Sequence, residues 1–196
     1  MKGLFLKDIL VLTKAMKLML LLIIGFCFLD NMRMFVIFYG SLLTISTLAY
    51  DEQNKWNDIA AMMPYSSAEM VLEKFIFGYC GAAIGFTLVS IAGFITGMDF
   101  SEFVFCVIEF FITLILFALT LTLIFKFGVE KARFAYIIFI AACSAGAVLF
   151  GDNFTEFASI TEKTLAFAVP VAAVVSVLFN IVAILLSVKF YDQKKA

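Results

Sequence analysis

The sequence predicts an all-α, polytopic membrane protein: a single transmembrane domain over 1–196 with six helical spans. Three observations carry that prediction. Hydrophobic residues make up 64% of the 196, and 25 of them are phenylalanine, against about half apolar in soluble domains. Apolar runs of about 20 residues, enough to cross about 30 Å of hydrocarbon, recur along the chain. Finally, of the 14 Lys and Arg, all but Arg33 and Lys163 fall in segments that alternate connections would place on one side of the membrane. Basic residues favour the cytoplasmic side, so both termini are assigned there. The runs are continuous, whereas the strands of a membrane barrel alternate apolar with polar residues.

The elements follow in order. Residues 1–17 place Lys7 and Lys14 on one side of a helical wheel with Gly3, and Leu4, Phe5, Ile9, Leu12 and Met16 over most of the rest. That pattern suits an interfacial helix lying along the inner leaflet; the alternative is a cytoplasmic extension of the first span. The first span, 15–32, requires Lys17 to snorkel and Asp30 to sit at the far interface. It lacks a small-x-small cleavage site and runs on into more membrane, unlike a signal peptide. A tight outer turn at 29–33 leads to the second span, 34–50.

A polar passage, 51–74, then interrupts the oil. Trp56, Ile59, Ala60 and Met63 recur at helical spacing, which predicts a short helix over 51–63. Pro64 disfavours helix at Met63 and ends it. Ser66 to Glu69 has the form of a capping box, from which a third helix runs through Lys74 into span 75–98. That span carries Gly81-xxx-Gly85 and Gly93-xxx-Gly97, a spacing that lets a second helix approach closely. Spans at 103–125, 134–151 and 164–188 complete the set, with a weaker small-residue pair at Ala142 and Gly146 in the fifth.

Catalytic chemistry is sparse. There is no His, no P-loop, and no G-x-S-x-G or H-E-x-x-H motif, so no nucleotide cradle or hydrolase site is expected on this chain. Cys27, Cys80, Cys106 and Cys143 all fall inside predicted spans and read as buried, reduced small hydrophobes; no metal-ligand spacing is present. Glu109 is the one acid well inside a span, and an intramembrane acid is a functional candidate. It would carry protons, bind a cationic substrate, or pair with Asn180 or a hydroxyl. Asn180 itself reads as an interhelical hydrogen-bond donor, and the two are candidate translocation-path residues. Pro170 lies near the outer end of the sixth span. The net charge of −1, with the basic residues tracking the membrane surface, argues against nucleic acid.

Two passages resemble a known family. The opening M-K-G-L-F-L-K-D is similar to the start of many small bacterial ABC-2 permeases. Asp51, Glu52, Lys55 and Trp56, then Met63-Pro64-Tyr65-Ser66, then 69–74, resemble that subfamily's D-E…K-W…L-P signature. The chain departs from the pattern at Ser67, where the family usually has Arg or Lys, and at Met63, usually Leu. The resemblance implies the permease subunit of an ABC-2 type transporter in a bacterial plasma membrane, without enzymatic activity of its own. It implies that the helix after the second span is a coupling helix seated in a separate ATPase, which alone holds ATP and Mg. Asp51, Glu52, Lys55, Trp56, Asn57 and Asp58 would dock, with Met62, Met63, Pro64 and Tyr65 packed beneath; Trp56 could equally be a membrane-interface anchor. Two permeases, as a homodimer, and two ATPases would form the exporter. The subfamily is similar to the phenol-soluble modulin exporter permease, which implies an amphipathic peptide as substrate. The competing readings are a scaffold or sensor without an ATPase, and a carrier or intramembrane enzyme using Glu109.

Overall fold

The computed structural model describes residues 2–15, 17–27, 33–62, 65–132, 134 and 162–195. These form α1 (Lys2–Ala15), α2 (Lys17–Phe26), α3 (Arg33–Gln53), α4 (Trp56–Ala61), α5 (Ser67–Thr96), α6 (Phe100–Phe127) and α7 (Glu162–Lys195). All the regular structure among the described residues is helical. Three stretches are long and apolar enough to cross a membrane: Ser67–Thr96, Glu102–Phe127 and Val169–Gln193. They contain or overlap the spans expected at 75–98, 103–125 and 164–188. The 21-residue α3 covers the span expected at 34–50. The first expected span is represented by the ten residues of α2; its far end and the outer turn, apart from Arg33, lie outside the described residues. So do residues 135–151 of the fifth span, with Ala142, Cys143 and Gly146.

The bundle is organised by two close pairings. The first sets α3 against α5. A Cβ added to Gly81 would overlap the carbonyl of Gly40, one added to Gly40 would overlap that of Gly81, and Gly85 lies against Val36 and Ile37. Backbone thus meets backbone at the point the glycine spacing marked. The upper glycines behave differently: Gly93 faces the Met98 side chain, and Gly97 ends α5 in the left-handed region at φ 81°. In the second pairing α6 lies along α7. Here Phe117 projects its ring onto Gly78 of α5, and Phe75, Phe117, Leu121, Ile124 and Phe125 form one continuous core. Outside that core α7 exposes Val171, Leu178 and Leu185 at about 60% or more, a surface suited to lipid rather than water.

Inside an apolar bundle a polar side chain must find a partner. Tyr79 on α5 donates to Asn180 Oδ1 on α7 at 2.5 Å, while Asn180 Nδ2 donates to Ser176 O, one turn back in its own helix. Asn180 therefore bridges helices as an acceptor; the donor role expected from sequence is used within α7. Ser187 of α7 likewise donates to Thr122 of α6 at 3.2 Å.

Candidate functional site

The polar passage after α3 folds differently from a single helix over 51–63. Helix α3 continues through Asp51, Glu52 and Gln53. Asn54 then donates both its backbone N–H and its side-chain Nδ2 to Tyr50 O, at 3.1 and 2.8 Å. A side chain that competes for backbone acceptors in this way favours a turn. Lys55 follows with φ 52°, the one non-glycine residue at positive φ among those described, at a cost of roughly 1–2 kcal/mol. Only then does the six-residue α4 begin, at Trp56. Beyond residues 63 and 64, which are not described, Ser66 and Glu69 form a complete capping box: Glu69 N–H to Ser66 Oγ at 3.2 Å and Ser66 N–H to Glu69 Oε2 at 3.0 Å.

Because Asp51 belongs to α3, its helical geometry aims it into the protein, while its neighbour Glu52 stays exposed. Asp51 is 6% exposed. Its carboxylate takes Lys7 Nζ from α1 at 2.6 Å and Lys74 Nζ from α5 at 2.9 Å. Lys74 also meets Asp8 Oδ2 of α1 at 2.5 Å, and Lys7 lies 3.0 Å from Asp8 Oδ1 without hydrogen-bond alignment. Thr47 on α3 donates to Thr44 O at 2.9 Å, and its hydroxyl lies 3.4 Å from Asp8 Oδ2. Glu73 is buried beside Lys74 at 3.8 Å, with one carboxylate oxygen unpartnered. The Lys7 ammonium stands 4.5 Å from the Trp56 ring, within cation–π range. One buried charge cluster thus joins α1, α3, α4 and α5. Burial by itself raises the Asp8 carboxyl, but the ammonium groups of Lys74 and Lys7 outweigh it and hold Asp8 below its ordinary range.

Glu52 points another way. Its Oε2 accepts the Val129 N–H at 3.0 Å. Val129 opens the helical turn at 129–132 that follows Gly128 (φ 87°), the residue that ends α6. A free N–H at a helix start wants an acceptor, and Glu52 supplies it from the end of α3.

The residues expected to dock an ATPase are therefore not on one face. Asp51 and Glu52 make internal contacts, and Trp56 is half-buried against Lys7. Lys55 is exposed, as are Ile59 and Met62, at 48% and 88%. Asn57 and Asp58 lie on α4, but their side chains are outside the described set, as are Met63 and Pro64 altogether. Tyr65 is half-buried with its hydroxyl beside Gly3 of α1. Glu109 is half-buried on α6 with Oε2 unpartnered, and the hydrogen bonds of Asn180 go to Tyr79 and Ser176 instead. Among the described residues no group of His, Cys, Asp and Glu could hold a metal ion. What sequence reasoning missed is the set Asp8, Thr47, Glu73 and Lys74. The available signal was the recurrence of opposite charges at the ends of three apolar segments.

The sequence profile described as ABC-2 family transporter protein matches residues 3–192. No curated protein and no solved structure matches this chain.

Proposed function

The chain belongs to the ABC-2 family of transporter proteins, a membrane permease of an ABC transporter, and on that premise we propose that α4 is its coupling helix, docking on the partner ATPase through Lys55, Ile59 and Met62. The observation that carries this reading is the two-sidedness of the segment. Its inner side is fastened to α1, α3 and α5 through Trp56, Lys7, Asp51 and Lys74, while Ile59 and Met62 present apolar surface outward. Apolar anchors beside an exposed cation are what a small protein interface uses. Asp51, Glu52 and Trp56 are then positioning residues that hold the docking helix at a fixed angle.

In this reading the ATPase carries ATP and Mg, and its closure displaces α4. The displacement passes through the buried charges to α1 and α5, and through Glu52 to the turn after α6. Two copies of the chain work with two ATPase subunits in a bacterial plasma membrane, with both termini cytoplasmic, and move an amphipathic or hydrophobic peptide outward. The lipid-facing apolar surface of the helices suits such a substrate.

The test is co-purification of the full chain with its ATPase in detergent, read beside the ATP hydrolysis of the complex. Met62→Asp with Ile59→Asp is expected to abolish association while the permease keeps its melting temperature. Asp51→Asn is expected to lower the melting temperature and leave residual association. Association of the Met62→Asp/Ile59→Asp variant at the wild-type level sinks the docking assignment.

A further inference from the structure

The buried cluster does not balance its charges. Asp8, Asp51 and Glu73 bring three carboxyls, and Lys7 and Lys74 bring two ammonium groups. The other elements packed against it add no charge. Trp56 of α4 and Phe125 of α6 line the same pocket, and Tyr191 of α7 donates its hydroxyl to Met70 Sδ at 3.3 Å. With all three carboxyls ionised, the site would hold one uncompensated negative charge. Asp8 and Glu73 are 0% and 1% exposed, and an unpaired ion at such depth carries a heavy desolvation penalty.

Glu73 is the carboxyl left over. It lies on the second turn of α5, ahead of the apolar span expected from residue 75. The Lys74 ammonium has three hydrogens, and they go to Asp8 Oδ2, Asp51 Oδ2 and Thr47 Oγ1, at 2.5, 2.9 and 3.5 Å. Lys7 gives its hydrogen bonds to the two oxygens of Asp51, at 2.6 Å each. Glu73 stands 3.8 Å from Lys74, beyond hydrogen-bond range. Its carboxyl meets that of Asp8 instead. Each of these two acids keeps one buried oxygen without a donor, Asp8 Oδ1 and Glu73 Oε1. Ionised carboxylates only accept, and two that share one buried site do not both ionise. A single proton supplies the missing donor and leaves two carboxylates against two ammonium groups.

We propose that Glu73 and Asp8 form a proton-binding site, in which Glu73 keeps its proton at neutral pH and donates it to the Asp8 carboxylate across the contact between α5 and α1. The proton comes from water beside Lys7, whose side chain is 19% exposed and lines the pocket that reaches Glu73. With the proton bound, the pair holds α1 to α5. Without it, two facing carboxylates push the helices apart beside the residues that fasten α4. The hold on α1 is thereby sensitive to pH on the α4 side. The site rests on the charge cluster alone and is independent of what α4 docks.

The experiment is infrared spectroscopy of the full chain in detergent at neutral pH, with thermal melts of the same samples. Subtracting the Glu73→Gln spectrum from that of the wild type is expected to leave the carbonyl stretch of one protonated carboxylic acid. Asp8→Asn, which changes the acceptor, is expected to shift that band, and Glu109→Gln is expected to leave it in place. The unfolded chain ionises Glu73 above about pH 4.3 while the fold retains the proton, so wild-type stability falls as pH rises beyond that value. Glu73→Gln keeps a donor for Asp8 and cannot ionise. It is therefore expected to melt at or above the wild type at neutral pH, by a margin that grows from about pH 5 to pH 8. Absence of a protonated-acid band from the difference spectrum overturns the proposal. So does a band that Asp8→Asn leaves unmoved, or a Glu73→Gln protein that melts below the wild type at neutral pH.

Discussion

Replacing Lys74 by Met is the sharpest probe of the charge cluster. Lys74 is 6% exposed and lies 2.5 Å from Asp8 and 2.9 Å from Asp51. At an effective dielectric of about 20, those two contacts attract by roughly 6 kcal/mol each. Most of this is offset by the several kcal/mol each ion loses on leaving water, so the intact cluster contributes little net stability. Deleting one member is a different matter, because Asp8 and Asp51 stay buried with only Lys7 between them. The expected cost is about 3–5 kcal/mol, or a fall in melting temperature of about 10 °C for a chain of this size. The assay is thermal unfolding in detergent, followed by size-exclusion fluorescence, for Lys74→Met, Asp8→Asn and the double variant. Partners in one network couple, so the double variant should be less destabilised than the sum of the singles by about 1–3 kcal/mol. A Lys74→Met protein melting within about 2 °C of wild type, or strict additivity, would refute the reasoning.

Three further outcomes are expected. Gly81→Ala should destabilise by about 1–3 kcal/mol, because its methyl overlaps the Gly40 carbonyl; Gly25→Ala, which meets nothing within 4 Å, is the neutral control in the same melt, and equal melting temperatures would discount the close α3–α5 contact. The ammonium groups of Lys74 and Lys7 hold Asp8 below the ordinary carboxylate range, so its stabilisation is complete above that range and is lost as pH falls through the lower, folded-state value. The gap in melting temperature between wild type and Asp8→Asn should accordingly narrow as pH falls below about 4; a gap unchanged between about pH 5 and pH 2 would contradict this. Glu109→Gln should leave ATP-driven transport intact, since no contact links that carboxyl to the charge cluster; loss of transport with normal ATPase association would instead favour a carrier that moves protons.

How much of this was legible depended on how local the cause was. Hydropathy placed α5, α6 and α7, because burial in lipid is a property of each segment by itself. The capping box and the Gly81–Gly85 face were legible for the same reason: spacing along one helix fixes both. The charge cluster was not, since the contacts that join its helices span 23 to 66 residues. Each taken singly reads as a cation or acid at a membrane boundary. The direction of Asp51 and Glu52 turned on where α3 stops, and a side chain swings by about 100° for each residue of helix. The Asn54 back-bond and the left-handed Lys55 decide that stop. The role of Asn180 was reversed because an amide donates and accepts, and only the position of Tyr79, 101 residues away, chooses between them.

The adjacency of Asp51 and Glu52 has a mechanical consequence for the proposed permease. Successive helical residues point in different directions, so two neighbouring acids at the end of one helix reach two different elements. Asp51 takes the ammonium of Lys74 on α5, and Glu52 takes the Val129 N–H beyond α6. The last turn of α3 is thereby tied to both neighbouring helices just where α4 begins. The turn itself, at Asn54 and Lys55, has little freedom, because its backbone is hydrogen-bonded at both residues. A push on α4 therefore reaches α5 and α6 through charged contacts instead of being absorbed in a slack loop. The Asp51 contact is stiff because it is buried: breaking it strands a charge, at about the cost given for the loss of Lys74, whereas the exposed Glu52 adds a hydrogen bond without that penalty. Had Asp51 faced outward instead, the link to α5 would be weaker. Under the proposed docking, Ile59 and Met62 would meet the ATPase and Asp51 would carry the load inward.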